Sequence, residues 1–224
     1  MTAVDRASRR RAGAAEGGTR QRVIEAAIKC ILEQGFYRAS SNAIAETAGL
    51  TWGVIQYYFG TRESLMLAVL EEGNRRLTQQ LAQADITADT LSDRLEQYFT
   101  VLEGYYADPD YLAFIQVLLN LSHDPSTSAR TREAMEQAAQ AIDVHIKRLT
   151  DQLFAGTAVR SQTLRSFPFN ALRGLALSEV MLTTLPYDTR AMQRRVSNQR
   201  HMLTRAVAHL LESEPEPARR SRRR

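Results

Sequence analysis

Residues 40–62 read SSNAIAETAGLTWGVIQYYFGTR, two short helical patterns joined by a tight turn. Ser40 suits the start of the first pattern, because its hydroxyl can accept from an orphan backbone N–H one turn in. Ile44, Ala45 and Ala48 then recur at helical spacing. Gly49 is placed to end that helix, since a left-handed cap costs glycine no Cβ clash. Leu50 follows and can pack back on the helix it leaves. Thr51 is expected to cap a second helix running through Ile55 to about Phe59. A short helix, a glycine turn and a second short helix form a helix-turn-helix, whose second helix enters the DNA major groove.

The faces of the second helix differ in kind. Trp52, Gly53, Gln56 and Tyr57 fall on one side at three- and four-residue spacing, while Ile55, Tyr58 and Phe59 lie toward the other. A helix this short does not hold itself together, so neighbours must pack its inner side. Its outer side carries large groups with hydrogen-bonding tips. Gln can bond adenine edges bidentately, Tyr suits phosphates, and Gly53 lets the backbone come close. An ordinary helical hairpin with surface aromatics has the same pattern, so the flanks decide.

Upstream, TRQRVIEAAIKCILEQGFYRAS predicts a helix capped by Thr19 and ended by Gly35, with Val23, Ile24, Ala27, Ile28, Ile31 and Leu32 inward. Downstream, FGTRESLMLAVLEEG predicts another, with Thr61 as cap and Arg62 in its first turn. With the AAIKCILEQGF run, the IAETAGL turn and the GVIQYYFGTRESL run in place, residues 19–72 resemble the TetR family of bacterial transcription regulators. Beyond them the likeness extends only to helical content and length.

The resemblance implies roles residue by residue. Ser41 and Asn42 match positions that touch the DNA backbone or bases. Thr51, Trp52, Gly53, Gln56, Tyr57 and Tyr58 match the recognition-helix contacts. Arg62 matches a basic residue that holds a phosphate at the start of the fourth helix. Two positions depart from the family pattern: Gln56 stands where a phosphate-binding Tyr is usual, and Trp52 where a polar or basic residue is common. Both changes bear on operator choice. Trp52 can pack on thymine methyl groups or wedge against the sugar-phosphate wall.

Composition sets the surroundings. Among 224 residues Cys30 is the one cysteine, so no internal disulfide forms, which suits a reducing cytoplasm. No apolar run reaches the roughly 20 residues of a membrane span, and the N-terminus lacks a signal peptide's apolar core. The net charge of +4 gathers at the ends. Arg6, Arg9, Arg10, Arg11 and Arg20 face only Asp5 and Glu16, while Arg219, Arg220 and Arg222 to Arg224 follow three glutamates. Basic ends on a near-neutral body fit a protein that meets polyanions, although solvated tails have the same composition.

Helical patterns continue to the C-terminal region, with no β alternation and no internal repeat. The fold expected is all-α, about nine helices: an N-terminal three-helix helix-turn-helix domain and a larger C-terminal helical ligand-binding and dimerisation domain. The division expected is a flexible basic arm at 1–18, the DNA-binding domain at 19–64, the ligand and dimer domain at 65–212, and a basic tail at 213–224. Asp110 is expected to cap one helix, Pro168 to start or kink another, and the last helix to run from about Thr189 to Leu211. ALRGLALSEVMLTTL is apolar nearly all round. The resemblance implies that the last two helices pair into a four-helix dimer interface, with Arg173 and Glu179 as polar pins; closing a monomer core is the alternative.

Other chemistries find little support. His123, His145, His201 and His209 form no metal-ligand spacing, and no phosphate loop or nucleophile elbow is visible. No metal, cofactor or enzymatic activity is expected. The aromatic density of the C-terminal half, with polar groups between, suits a mostly apolar small-molecule site, although core packing explains each residue singly. Phe99, Tyr106, Phe114, Asn120 and His145 are the candidate contacts. The expected protein is a cytoplasmic, ligand-responsive regulator, a repressor, that binds palindromic double-stranded operator DNA as a homodimer and leaves it on binding a small-molecule effector. A helical binding protein or enzyme with an unused helix-turn-helix is the alternative.

Overall fold

The computed structural model describes the backbone over residues 3–108, 110–184, 199 and 202–210. Eight helices follow in order: α1 (Ala3–Gln34), α2 (Ser41–Ala48), α3 (Trp52–Phe59), α4 (Arg62–Gln83), α5 (Leu91–Tyr106), α6 (Asp110–His123), α7 (Ala129–Leu153) and α8 (Gln162–Thr184). A further helical stretch covers 202–210. The described residues contain no strand, so the chain is all-α as its periodicity requires. Of the expected last helix only 199 and 202–210 are described. Met192, Val196, His201, the Glu179 side chain and the C-terminal arginines lie outside the described residues.

Two expected helix starts are corrected, and a third is in place without its side-chain cap bond. Thr19 does not start a helix, because α1 already begins at Ala3. Alanine and arginine are strong helix formers, and two glycines cost only about 1 kcal/mol each, so the helix carries through Gly17 and Gly18. Thr51 occupies the cap position of α3 in extended geometry but makes no side-chain cap bond. Asp110 is itself in the first turn of α6, where its carboxylate pairs with Arg76 of α4. A negative group there is favoured by the helix dipole as well. α8 runs on through Pro168, which supplies no N–H of its own to the ladder.

The chain forms two compact units. The first comprises Met1–Gln79 and Pro109–Ile142, the second Gln80–Asp108 and Asp143–Arg224. α4 and α7 each contribute to both.

In the first unit, Ile24 and Ile31 of α1, Ile44 of α2, Ile55 of α3, Leu65 of α4 and Val117 of α6 share one core. The cysteine is part of it: Cys30 is buried, with its sulfur 3.1 Å from the Thr47 hydroxyl. α6 comes so close to α4 that a Cβ on Gly73 would sit 2.8 Å from the Phe114 ring. A charged cluster joins α1, α4 and α6. Buried Glu72 accepts from Arg75 at 2.8 and 2.9 Å, from Arg76 at 2.7 Å and from Gln21 at 3.4 Å, and Arg76 goes on to Asp110.

In the second unit, Tyr98, Phe99 and Leu102 of α5 are buried with Leu149 and Leu153 of α7. Tyr98 meets the Thr150 hydroxyl at 3.2 Å, and burial pushes its phenol up to about 12. Arg148 donates to the carbonyls of Leu81 and Ala84 at 2.7 and 2.8 Å. A cation thus satisfies carbonyls at the C-terminal end of α4, where the helix dipole is negative.

Candidate nucleic-acid interface

Local chemistry builds the reading unit first. Ser40 is extended, and its hydroxyl accepts from the Ala43 N–H at 3.2 Å. At the other end of α2, Gly49 takes φ 63°. The Leu50 N–H reaches back to Ala45 at 2.9 Å and the Gly49 N–H to Glu46 at 3.0 Å, the two bonds of a Schellman cap. Arg22 of α1 closes a further orphan carbonyl, donating to Ala48 at 2.8 Å. After α3 a second positive-φ glycine, Gly60 at φ 70°, turns the chain into α4. The Thr61 hydroxyl caps α4 by accepting from Ser64 N–H at 3.0 Å.

α3 is held by its inner side alone. Ile55 and Phe59 are buried, and the Arg20 guanidinium sits 5.2 Å from the centre of the Phe59 ring. On the outer side Thr51, Trp52, Gly53, Gln56 and Tyr57 are exposed together, Tyr57 at 76% and Trp52 at 41%. Tyr58 is half-buried and meets Tyr57 edge-on at 5.1 Å. At the start of α2, Asn42 is exposed and Ser41 half-buried. An exposed row of Trp, Gln and Tyr on a helix fixed from beneath offers base-edge and phosphate contacts at once.

Arg62 is placed differently from its neighbours. Its Nη2 donates to the Phe36 carbonyl at 2.6 Å and its guanidinium stacks 4.4 Å from the Phe36 ring centre. Half-buried there, its pKa is lowered by desolvation. Arg62 thus fastens the start of α4 to the turn after α1. Sequence reasoning also missed the other fastener of that turn: Gln116 of α6 accepts from the Phe36 N–H at 3.1 Å. A polar residue within an apolar helix pattern was its one visible signal.

The five residues expected around a ligand divide between the units. Phe99 and Tyr106 of α5 are buried in the second unit, to which His145, half-buried on α7, also belongs. Phe114 packs against the core of the first unit, and Asn120 donates to the Gln116 carbonyl within α6 at 2.7 Å.

An all-α chain whose capped helix pair displays one such face is a helix-turn-helix DNA-binding protein. Residues 23–69 match the family model for bacterial regulatory proteins of the tetR family. The chain thus carries a TetR-family helix-turn-helix region. It is 25% identical over 167 residues to the HTH-type transcriptional repressor AcnR of Corynebacterium glutamicum, spanning 73% of this chain and 82% of that protein. It is 30% identical over 89 residues to the HTH-type transcriptional regulator BetI of Stenotrophomonas maltophilia, 40% of this chain and 44% of that protein. Among solved structures, GusR of Salmonella enterica superposes with TM-score 0.60 at 16% identity, covering 87% of this chain and 96% of that one. FadR of Bacillus subtilis, solved with stearoyl-CoA, gives 0.56 at 19% identity, covering 86% and 97%. These two likenesses concern the fold. No described helix is long and apolar enough to cross a membrane.

Substitutions separate the roles of Gln56 and Arg62. Gln56→Ala is expected to cost about 1–3 kcal/mol on the preferred duplex and little on random DNA, because Gln56 brings no charge. Arg62→Ala is expected to weaken both duplexes and to lower stability by about 2 kcal/mol, since it removes a charged hydrogen bond to Phe36. Paired gel shifts and thermal melts check both. Equal weakening of both duplexes by Gln56→Ala would mean that it replaces the family's phosphate-binding Tyr, leaving base reading to Trp52, Tyr57, Ser41 or Asn42.

Proposed function

We propose that the chain is a cytoplasmic, effector-controlled repressor that binds a palindromic operator as a homodimer. The carrying observation is the outward row of Trp52, Gln56 and Tyr57 on a recognition helix anchored by Ile55 and Phe59. Repression is the function named for AcnR of C. glutamicum, which aligns with most of this chain. The proposed dimer surface is that of the last two helices. Its support is apolar exposure in the second unit: Phe167 at 40% and Leu177 on α8, with Met202 at 69% and Leu210 on 202–210. Arg173, stacked 5.2 Å from the Phe169 ring, is the proposed polar pin there.

The effector is proposed to be a largely apolar small molecule contacted by some of Phe99, Tyr106 and His145, the candidates that the second unit holds. It acts by favouring the conformation that does not fit DNA, and it must bind that conformation better.

Selection of duplexes from a random-sequence pool by the full chain tests the reading. Inverted half-sites one helical turn or more apart are expected. A persistent monomer by light scattering at micromolar concentration would overturn the dimer. Compounds found by thermal shift are expected to raise stability and weaken operator binding together; stabilisation that leaves operator affinity unchanged would overturn effector control.

A further inference from the structure

The turn between α1 and α2 does more than connect them. Within residues 36–39 the ends are buried and the middle is not: Phe36 and Ala39 are buried, while Tyr37 and Arg38 between them are exposed, Tyr37 at 84%. One exposed tyrosine on a loop is ordinary. A tyrosine and an arginine displayed from an immobilised backbone are not. Gly35 sets the turn with φ 81°, and the Ala39 N–H returns to the Gly35 carbonyl at 3.1 Å. Both backbone groups of Phe36 are occupied from outside the turn. Gln116 of α6 accepts from its N–H, and Arg62 of α4 donates to its carbonyl. Arg62 also stacks on its ring, and the Tyr37 ring meets that of Phe36 edge-on, with centroids 5.5 Å apart.

Three residues further on stands Ser40, the cap of α2, and then exposed Asn42. The displayed pair is therefore next in the chain to the start of the helix-turn-helix. It also leans on the residue that joins the turn to the helix after recognition helix α3. The Arg62 guanidinium is committed inward to Phe36, so positive charge on this side is carried outward by Arg38. Arginine and tyrosine are both frequent donors to phosphate oxygens, and holding them on a fixed backbone reduces the entropy lost on contact.

We propose that Tyr37 and Arg38 are a phosphate-contact element, held ready by Gln116 and Arg62, that sets affinity and orientation on duplex DNA without reading its sequence. The proposal rests on the DNA-binding reading above. Arg38 forms the ion contact with one phosphate and Tyr37 donates its hydroxyl to a neighbouring one. Because the contacts are to the backbone, they serve any duplex alike.

The experiment uses the full chain with two probes: a duplex enriched by the wild type from a random pool, and an unrelated duplex of equal length. Binding is titrated across salt for wild type, Tyr37→Phe, Arg38→Ala and the double variant, with Gln56→Ala as control. The double variant is expected to bind both duplexes about tenfold more weakly. Arg38→Ala is expected to lower the salt slope by about 0.9, the release of one phosphate contact. Melting temperatures are expected to hold, since both side chains are exposed, whereas Gln56→Ala should weaken only the enriched duplex. Unchanged affinity and slope in the double variant, with wild type binding normally, would overturn this inference and leave the DNA-binding reading standing. Loss confined to the enriched duplex would overturn the phosphate assignment. A wild type that binds neither duplex would overturn the DNA-binding reading itself, and this inference with it.

Discussion

Phe59→Ala is expected to destabilise the first unit by about 3–5 kcal/mol and to remove operator binding almost entirely, the range found for large-to-small changes in cores. The reason lies in the length of α3. Trp52–Phe59 is too short to be stable alone, so its orientation depends on what it buries. Ile55 and Phe59 are its two buried residues, one turn apart. Phe59 also receives Arg20 of α1 over its ring. Truncating it removes half the anchorage and leaves a cavity beneath the recognition face. The conservative Phe59→Leu keeps most of the volume and is expected to cost less than about 2 kcal/mol. Denaturation midpoints and gel shifts on the three proteins check this. Full operator affinity in Phe59→Ala, despite lowered stability, would show that α3 is oriented by something else.

Glu72 is expected to supply about 2–3 kcal/mol of acid-sensitive stability. The Arg75 guanidinium bonded to it holds its carboxyl down at about 2 from an ordinary 4.5, with Arg76 adding to the effect and burial opposing it. The folded state therefore binds this proton less readily than the unfolded chain. Its contribution is complete above about pH 4.5 and is lost as pH falls toward 2. Glu72→Gln keeps the shape without the charge. It is expected to be less stable near neutrality and to lose less stability between pH 4.5 and 2 than the wild type. Arg75 is exposed and can turn to water, so the deficit falls below that of a fully buried broken pair. Urea titrations at several pH values decide it; parallel acid profiles for the two proteins would remove Glu72 from the account.

The reading unit was legible because its determinants are local. Ser40 caps, Gly49 turns and Thr61 caps through bonds spanning three to five residues, and each is found where the spacing placed it. The inward and outward faces of α3 follow from helical spacing for the same reason. Where a local rule competed with another, it failed. Thr51 has the right place for a cap and makes no cap bond. Asp110 was expected to cap α6 and instead lies within it, drawn to Arg76 of another helix. Thr19 was overruled by the alanine- and arginine-rich run upstream, whose helix propensity outweighs the two glycines.

The sequence by itself determined an all-α regulator with a helix-turn-helix and which side of α3 faces outward, since capping and periodicity act within a few residues along the chain. Tertiary structure alone decided what those residues do with their partners. Nothing near Arg62 in sequence shows that its guanidinium turns inward to Phe36, 26 residues away. Nothing near Gln116 shows that it holds the same residue from 80 positions off. The donors gathered on Glu72 come from α1 and α4, and Arg76 ties them to α6. Such contacts depend on which helix faces which across a core. That choice is made by the summed burial of many apolar side chains, a property no short stretch of sequence carries.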